Sequence, residues 1–503
     1  MIYLNTIRKP LGRSTAALIG AFVLAIAHQY LFYDNVPGVS YPLFVILLYT
    51  YLFHDWRDRL REISGFGWFL FVVVLLLSVT YGLFSNPILY ALNLVVVPIL
   101  IFIHTAYLRG VNQSAWWKFG IVNDALDHLL SQSLRHLPTV FRIFKISVAR
   151  KMGAEQKSTL GKVFIGLLIA VPLLIIVISL LASADGVFNR FVNGAPEWMN
   201  SLSIGEGLSR GIWIIVCGVL FFCYLWGFVK PKRAKTGMAG ISGKLEESAN
   251  RGTAKIDPII LTTLLLSVNA VYVLFVAVQF SYLFGAWDGG LPDGKTYAEY
   301  ARSGFVELVI VTVINFALLM ITLVRGDMTR RRIAALLYIL IGCSGVMLYS
   351  AYMRLVLYEE AYGYTYIRFL VHAFMIYLAV MLVIAAVRVR MRILPLAKCY
   401  IVISLAAYVF INYVGMDRLI AENNIERYQE TGKIDLQYLS GLSADAIPTL
   451  VNFSEQEYPG PGMKTLLVNK WETIKVEDRR WPSFNVSIFR AEKALNEIAG
   501  MPH

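Results

Sequence analysis

Charged side chains stand at the edge of a long apolar run in one stretch of this sequence. Residues 296–323 read TYAEYARSGFVELVIVTVINFALLMITL, so that Arg302 and Glu307 lead into a segment long enough to cross a bilayer. Charges near hydrocarbon are costly and usually face a protein interior or a wet cavity. In such a place a carboxylate can act as a general base, and arginines can hold phosphate, carboxylate or a lipid head group.

Two further segments carry the same residue types next to apolar runs. These are SADGVFNRF, from residue 183, and YMRLVLYEEAYGYTYIRFLVH, from residue 352. Helical spacing puts Tyr300 and Glu307 on one stripe, and Arg368 and His372 on another. We name the whole set the external polar belt: Asp185, Arg190, Tyr300, Arg302, Glu307, Arg354, Glu360, Tyr362, Arg368 and His372.

The belt has two interpretations. A structural network would pair Glu307 with Arg354 or Arg368 and hold helices together, because a partner offsets the cost of a charge beside hydrocarbon. An open pocket would instead use the surplus of arginine to bind an anionic lipid head group or another oxyanion. Neither interpretation assigns a catalytic residue.

The composition predicts an all-α, polytopic membrane helix bundle. Of 503 residues, 57% are hydrophobic and 16% are charged, against about 25% charged in soluble domains. Runs of about 20 apolar residues span a bilayer, and eleven are predicted. They are residues 14–32, 35–53, 65–84, 88–107, 163–181, 211–229, 258–283, 305–323, 333–353, 366–387 and 399–414.

Lysine and arginine alternate strongly between the loops. With the N-terminus inside, the predicted cytoplasmic segments hold 30 of the 46 cations, and the loops on the other side hold six. Because these residues accumulate in cytoplasmic loops, the pattern predicts an internal N-terminus and an external C-terminus. A net charge of +13 could indicate a nucleic-acid partner, but these cations lie mostly in short loops on one side of the predicted membrane. They therefore predict a lipid bilayer as the partner and no nucleic acid.

Four regions are predicted along the chain. Residues 1–107 form an N-terminal four-span membrane region, and residues 108–162 form a cytoplasmic basic amphipathic segment. The basic residues of that segment indicate either an amphipathic helix on the membrane surface or an ordinary positive-inside loop. Residues 163–414 form a seven-span membrane core, and residues 415–503 form a small helical tail outside the membrane. The first run could instead be a signal peptide cleaved after Ala27, but its apolar residues continue past that point, which favours a span.

Polar residues inside the other runs are predicted to serve packing. His28 and His104 are expected to be hydrogen-bonded packing residues, and Asn93, Asn269 and Asn315 to bond neighbouring helices. The four cysteines lie inside apolar runs, and the sequence holds no zinc-protease, nucleotide-binding or nucleophile-elbow motif. No metal site and no cofactor are predicted.

Several motifs in order resemble a known family. SADGVF, YLFGAWDGG, TYAEYARSGFVELV, RLVLYEEAYGYTYIRFLV and ENNIERYQETGKIDLQYLSGLSADAIP resemble the bacterial multi-pass membrane proteins catalogued as domain of unknown function 4153 or 4173. The resemblance covers about residues 160–450. It implies a protein of the bacterial cytoplasmic membrane with sensing or regulatory roles, and it implies no catalytic residue.

Three hypotheses for function follow. The first is a non-enzymatic module that senses, regulates or assembles the cell envelope, with the belt and tail contacting a ligand or an envelope protein. The second is an outer-leaflet transferase acting on a lipid-linked substrate, with Glu307 as base and Arg302, Arg354 and Arg368 holding phosphate. The third is a transporter, suggested by Pro98 and Pro172 inside predicted spans.

Overall fold

The chain is described by a computed structural model. Its described residues are 10–53, 63–109, 115–149, 177, 181, 204–230, 256–286, 305–326, 331–456, 458–475 and 479–499. Within these ranges the protein is helical and contains no strand. The all-α prediction is therefore confirmed for this part of the chain.

Twelve α-helices are described before the tail. They are α1 (Pro10–Phe32), α2 (Ser40–Phe53), α3 (Gly65–Leu83), α4 (Pro87–Leu108), α5 (Gly120–Asp127), α6 (Leu137–Ala149), α7 (Ile204–Val229), α8 (Pro258–Ala286), α9 (Phe305–Arg325), α10 (Arg331–Tyr362), α11 (Tyr366–Arg390) and α12 (Leu396–Tyr413).

Eight helices in the described ranges are long and apolar enough to cross a membrane. Helix α2 and the described part of α9 are apolar but shorter. Every predicted span coincides with one of these helices except residues 163–181, most of which lie outside the described residues.

Two helices differ in length from the apolar runs that predicted them. Helix α2 begins at Ser40, because Pro37 and Gly38 form a bend and the Gly38 N–H donates to Ser40 Oγ. Helix α10 continues past the apolar run to Tyr362, where Gly363 with φ +82° ends it. The segment after residue 353 is thus mostly helix, and only three residues connect α10 to α11.

The described residues divide into two compact units. The first falls within Met1–Leu75, Pro98–Arg233 and Arg480–Ser483; the second falls within Leu76–Val97, Ala234–Arg479 and Phe484–His503. Each is described by itself below. The four regions predicted from the sequence stay a prediction.

In the first unit, α1 packs along α7. Their shared core includes Ala21, Phe222 and Trp226, and it also receives Val140 and Ile143 from α6. Helix α6 lies within the predicted segment 108–162, and part of its apolar face packs against protein. His28 Nδ1 accepts a hydrogen bond from Trp213 Nε1 at 3.0 Å, which confirms His28 as a hydrogen-bonded packing residue.

In the second unit, α10 packs against α8, α9 and α11. The fully buried Leu265, Leu337 and Ala385 belong to this core. Two predicted polar contacts join its helices: Asn269 donates to the Leu336 carbonyl at 2.8 Å, and Asn315 donates to Ser344 Oγ at 2.9 Å. The interhelical role predicted for these asparagines is confirmed.

The described part of the C-terminal tail contains five α-helices. They are α13 (Met416–Thr431), α14 (Leu436–Ser440), α15 (Ile447–Ser454), α16 (Met463–Lys475) and α17 (Val486–Ala499). Their buried side chains share one core with Leu89 of α4, and Tyr364, Tyr366 and Phe369 pack against it. The tail is therefore continuous with membrane helices of the same unit.

Candidate functional site

The structure describes only part of the external polar belt. Asp185, Arg190, Tyr300 and Arg302 lie outside the described residues. Glu307 lies in the first turn of α9, where only the backbone is described. The predicted pairing of Glu307 with an arginine therefore stays a prediction.

The remaining belt residues lie on the α10–α11 hairpin. The Arg368 guanidinium carbon lies 4.3 Å from the centre of the Tyr358 ring, and Arg368 Nη1 donates to the Gly363 carbonyl. The His372 ring stacks on Tyr352, with ring centres 4.6 Å apart. Arg368 and His372 of α11 thus lie against side chains of α10, and Arg368 lies over an aromatic face as a cation–π pair.

The buried acid of this hairpin is Glu359, which the sequence analysis did not single out. Its side chain is 3% exposed, and its Oε2 lies 3.5 Å from His372 Nε2. Glu360 and Tyr362 are exposed, and Arg354 is half-buried. Glu359 follows the buried Leu355 by four residues, so both lie on the same face of α10. This spacing was the sequence signal that could have placed Glu359 inside.

Side chains of helix α13 in the tail form hydrogen bonds with the backbone around the connection between α10 and α11. Asn424 Oδ1 accepts from the Tyr364 N–H at 3.0 Å, and its Nδ2 donates to the Tyr364 carbonyl at 2.9 Å. Arg427 Nε donates to the Glu360 carbonyl at 2.7 Å and its Nη2 to the Ala361 carbonyl at 2.7 Å. Arg427 therefore caps carbonyls at the end of α10 that the helix itself leaves unbonded.

The tail also meets the beginnings of α4 and α11, and we call this contact region the junction. Its centre is the carboxylate of Asp417, which is completely buried. Asn86 Nδ2 donates to its Oδ2 at 2.6 Å, and the Ser443 N–H donates to its Oδ1 at 2.8 Å. The Tyr366 hydroxyl donates to the same Oδ1. One carboxylate thus receives donors from the start of α4, the start of α11 and the tail, which compensates for its removal from water.

The donors around Asp417 are themselves fixed by other bonds. Asn86 Oδ1 accepts from the Leu89 N–H at 2.9 Å, which makes Asn86 the N-cap of α4. The Tyr438 hydroxyl accepts from the Tyr366 N–H at 2.7 Å, which satisfies the first N–H of α11. Because the Asn86 side chain makes both bonds, it cannot rotate away from Asp417 without also losing the cap of α4.

A second tail carboxylate, Asp445, lies beside this centre. It accepts from the Ser85 N–H at 3.1 Å, and the Ser443 hydroxyl donates to it at 3.3 Å. Burial raises the pKa of Asp445, although bonds from Ser487, Ser85 and Ser443 act in the opposite direction. Its ionisation therefore opposes folding, and that cost is relieved as the pH falls through the raised pKa.

Lys470 supplies a positive charge to the same region. Its Nζ donates to the Leu442 carbonyl at 2.7 Å. Burial lowers the pKa of Lys470, and the negative charge of Asp417 acts against that shift. The lysine is thus anchored on the tail backbone, from which its charge partly balances the buried carboxylate.

Next to the junction, a row of side-chain hydrogen bonds joins α4 and α12; we call it the polar ladder. Asn93 Nδ2 donates to Asn412 Oδ1 at 2.7 Å, and the Tyr408 hydroxyl donates to Asn93 Oδ1 at 2.7 Å. These bonds confirm that Asn93 joins neighbouring helices. A cavity of about 20 Å³ beside the ladder is the size of one water molecule and cannot hold a substrate.

The junction is therefore suited to holding helices together. Its carboxylates, amides and hydroxyls are bonded to protein groups, and the described residues contain no cluster of metal-binding side chains. Asp417, Ile420, Ala421 and Asn424 lie at helical spacing and are all buried. That stripe was the sequence signal that could have placed Asp417 inside.

We predict that the protein tolerates an exchange of the donor and acceptor residues of the Asn86–Asp417 hydrogen bond, but loses stability when only one of the two is changed. Asp417→Asn brings its new amide against the Asn86 amide, two donors that repel, and Asn86→Asp brings two carboxylates together. Each single variant is expected to lose about 1–3 kcal/mol of stability. The double variant restores a donor facing an acceptor and should recover most of that loss, as measured by thermal unfolding in detergent.

Asp435→Asn serves as the control for loss of a tail carboxylate, because Asp435 is exposed and caps the short helix α14 through the Tyr438 N–H. It should change stability far less than Asp417→Asn. Purely additive losses in the double variant would show that Asn86 and Asp417 are not coupled.

Comparison with known proteins agrees with the motifs of the tail and hairpin. A family model described as Domain of unknown function (DUF4153) matches residues 71–453, so the match begins earlier than the motifs alone indicated. No curated protein and no solved structure matches the chain. The match covers more than half of the sequence, and the chain therefore belongs to the family described as Domain of unknown function (DUF4153).

Proposed function

We propose that this chain is a non-enzymatic assembly or regulatory module of the bacterial cell envelope. In this proposal the membrane helices hold the C-terminal tail as a rigid platform for another envelope component. The observation that carries it is the buried Asp417, which is bonded to α4, α11 and the tail at once. A loosely tethered tail would not need a buried charge at its base.

The proposed topology has eleven spans in the cytoplasmic membrane, with the N-terminus inside and the tail outside. The distribution of lysine and arginine supports it. Contacts within the second unit also support it, because the tail touches the α3–α4 turn at Asn86 and the α10–α11 turn at Tyr364. Eleven spans require both turns to lie on the side where the tail emerges.

The transferase and transporter hypotheses need polar groups that face a ligand. In the described hairpin, Arg368 contacts Tyr358 and the Gly363 carbonyl, and His372 contacts Tyr352 and Glu359. These partners are protein groups, which favours the structural interpretation of this part of the belt. The envelope module is therefore the function that we propose.

The tail presents an exposed aromatic pair at its last helix. Phe484 is 44% exposed and Phe489 is 53% exposed, and their ring centres are 6.0 Å apart. Aromatic side chains are enriched among residues that dominate protein interfaces. We propose this pair as the contact for an envelope protein.

The topology predicts opposite labelling of two exposed positions. Cysteine placed at Glu430, in the tail, should react with a membrane-impermeant maleimide in intact cells. Cysteine at Arg332, at the start of α10, should react only after the membrane is opened. The wild-type chain, with its four cysteines inside apolar helices, gives the background. The reverse pattern would overturn the proposed orientation.

The partner contact is tested by photo-crosslinking in cells. A crosslinking amino acid at Phe489 should give one discrete protein adduct, and the Phe484→Ser change should reduce its yield at least severalfold. The same amino acid at Glu422, exposed on α13, is the matched control and should give no such adduct. Equal adducts at both positions, or none at Phe489, would contradict the proposed surface.

A further inference from the structure

The segment formed by α5 and α6 exposes a row of large apolar side chains that no described part of the protein covers. Phe119 is 79% exposed and Leu130 is 57% exposed. The exposed residues recur at intervals of four or seven, which is the spacing of one face of a helix. We call them the outer stripe: Phe119, Leu126, Leu130, Leu134 and Phe141.

The opposite face of α6 is buried against α7. Val140 and Ile143 share a core with Phe222 and Trp226. Because α7 ends at Val229, these two partners lie about 10 and 5 Å before its end, at 1.5 Å per residue. Helix α6 therefore lies beside the last turns of α7 and not beyond them.

The end of α5 reaches the same part of α7 through a buried histidine. Residues His128–Gln132 continue α5 as one turn of π-helix. The ring of His128 stacks on Phe228, with ring centres 3.5 Å apart, and its Nε2 donates to the Tyr224 carbonyl at 3.2 Å. Gly227 permits this approach, because a Cβ there would lie 2.9 Å from His128 Cε1. Both parts of the segment thus turn the outer stripe away from α7.

The position along α7 indicates what covers the outer stripe. Helix α7 is long and apolar enough to cross a membrane from Ser209 to Val229. Amphipathic helices on a membrane bury their apolar face about 5–10 Å into the boundary between head groups and acyl chains. The segment contacts α7 within that distance of the end of the span. The outer stripe therefore lies at the depth of a leaflet's head groups and first acyl carbons.

The charges of the segment favour an anionic lipid. Lys118 precedes Phe119 and Arg142 follows Phe141, and both cationic side chains are exposed. Neither forms a hydrogen bond or an ion pair with a described residue. Lysine and arginine side chains near a membrane reach the head groups while their stems lie on apolar surface. Residues 109–162 contain nine of these cations and only three acidic residues, Asp124, Asp127 and Glu155.

We propose that the outer stripe inserts into the leaflet beside the end of α7 and binds its anionic phospholipids. The five apolar side chains contact acyl chains near the glycerol, while Lys118 and Arg142 lie at the level of the phosphates. The segment is then a surface helix and not an ordinary loop. This binding is the same whichever side of the membrane the segment faces.

Photo-crosslinking in bilayer discs tests the lipid contact and its preference together. Full-length protein with a photoreactive amino acid at Leu130 is reconstituted with equal amounts of phosphatidylglycerol and phosphatidylcholine that carry the same acyl chains. The adducts are identified by mass. We expect lipid adducts with about a threefold excess of phosphatidylglycerol, because each cation near the surface attracts anionic lipid.

The matched control site is Val273, which is exposed in the middle of α8. The same amino acid there should give lipid adducts without an excess of either lipid, since hydrocarbon in the middle of a bilayer is remote from the head groups.

Variants assign the excess to the two cations. Lys118→Gln combined with Arg142→Gln should abolish the excess of phosphatidylglycerol at Leu130 and leave the lipid adducts themselves in place. Arg332→Gln, which removes an exposed cation at the start of α10, should leave the excess unchanged.

An adduct between two copies of the chain at Leu130, or no adduct there while Val273 yields lipid, would show that protein or water covers the outer stripe, and would overturn the proposal. Equal adducts of the two lipids at Leu130, or an excess that survives the loss of both cations, would overturn the anionic preference.

Discussion

The Asp417 carboxylate is removed completely from water, so its oxygens need hydrogen-bond donors from the protein. Its three donors come from Asn86, Tyr366 and Ser443, which are far apart in the chain. Removing any one of them leaves a buried charge with too few partners, which is the costly way to break such a site. The ends of α4 and α11 and the tail are therefore held in one arrangement.

The same junction explains the state of the belt residues on α10 and α11. Asn424 and Arg427 of the tail bond the backbone of the connection, while Arg368 and His372 contact side chains of α10. A hairpin fixed on both faces is poorly suited to rearrange around a substrate. It is well suited to keep a tail at a constant position, and a partner bound to that tail would meet a surface that needs no ordering.

Sequence patterns predicted the all-helical architecture with many apolar helices well, because the length of an apolar run is a direct consequence of the bilayer. They also predicted the roles of Asn93, Asn269, Asn315 and His28, since a polar group inside a membrane helix has few alternatives to a neighbouring helix. They missed Asp417 and Glu359: the buried stripes on α13 and α10 could have placed these carboxylates inside, but a stripe does not identify the donors that a buried carboxylate bonds. The donors of Asp417 are distant in sequence, and no local period connects them.

Hydrogen exchange of backbone amides in the lipid-embedded protein tests the Asp417 junction most directly. Asn86→Leu removes one donor at the start of α4, and exchange across residues 416–450 of the tail should then accelerate. Asn269→Leu, which removes a bond between α8 and α10 in the same unit, should leave that segment unchanged. If exchange in the tail were the same in wild type and Asn86→Leu, Asp417 would not be what holds the tail to the membrane helices.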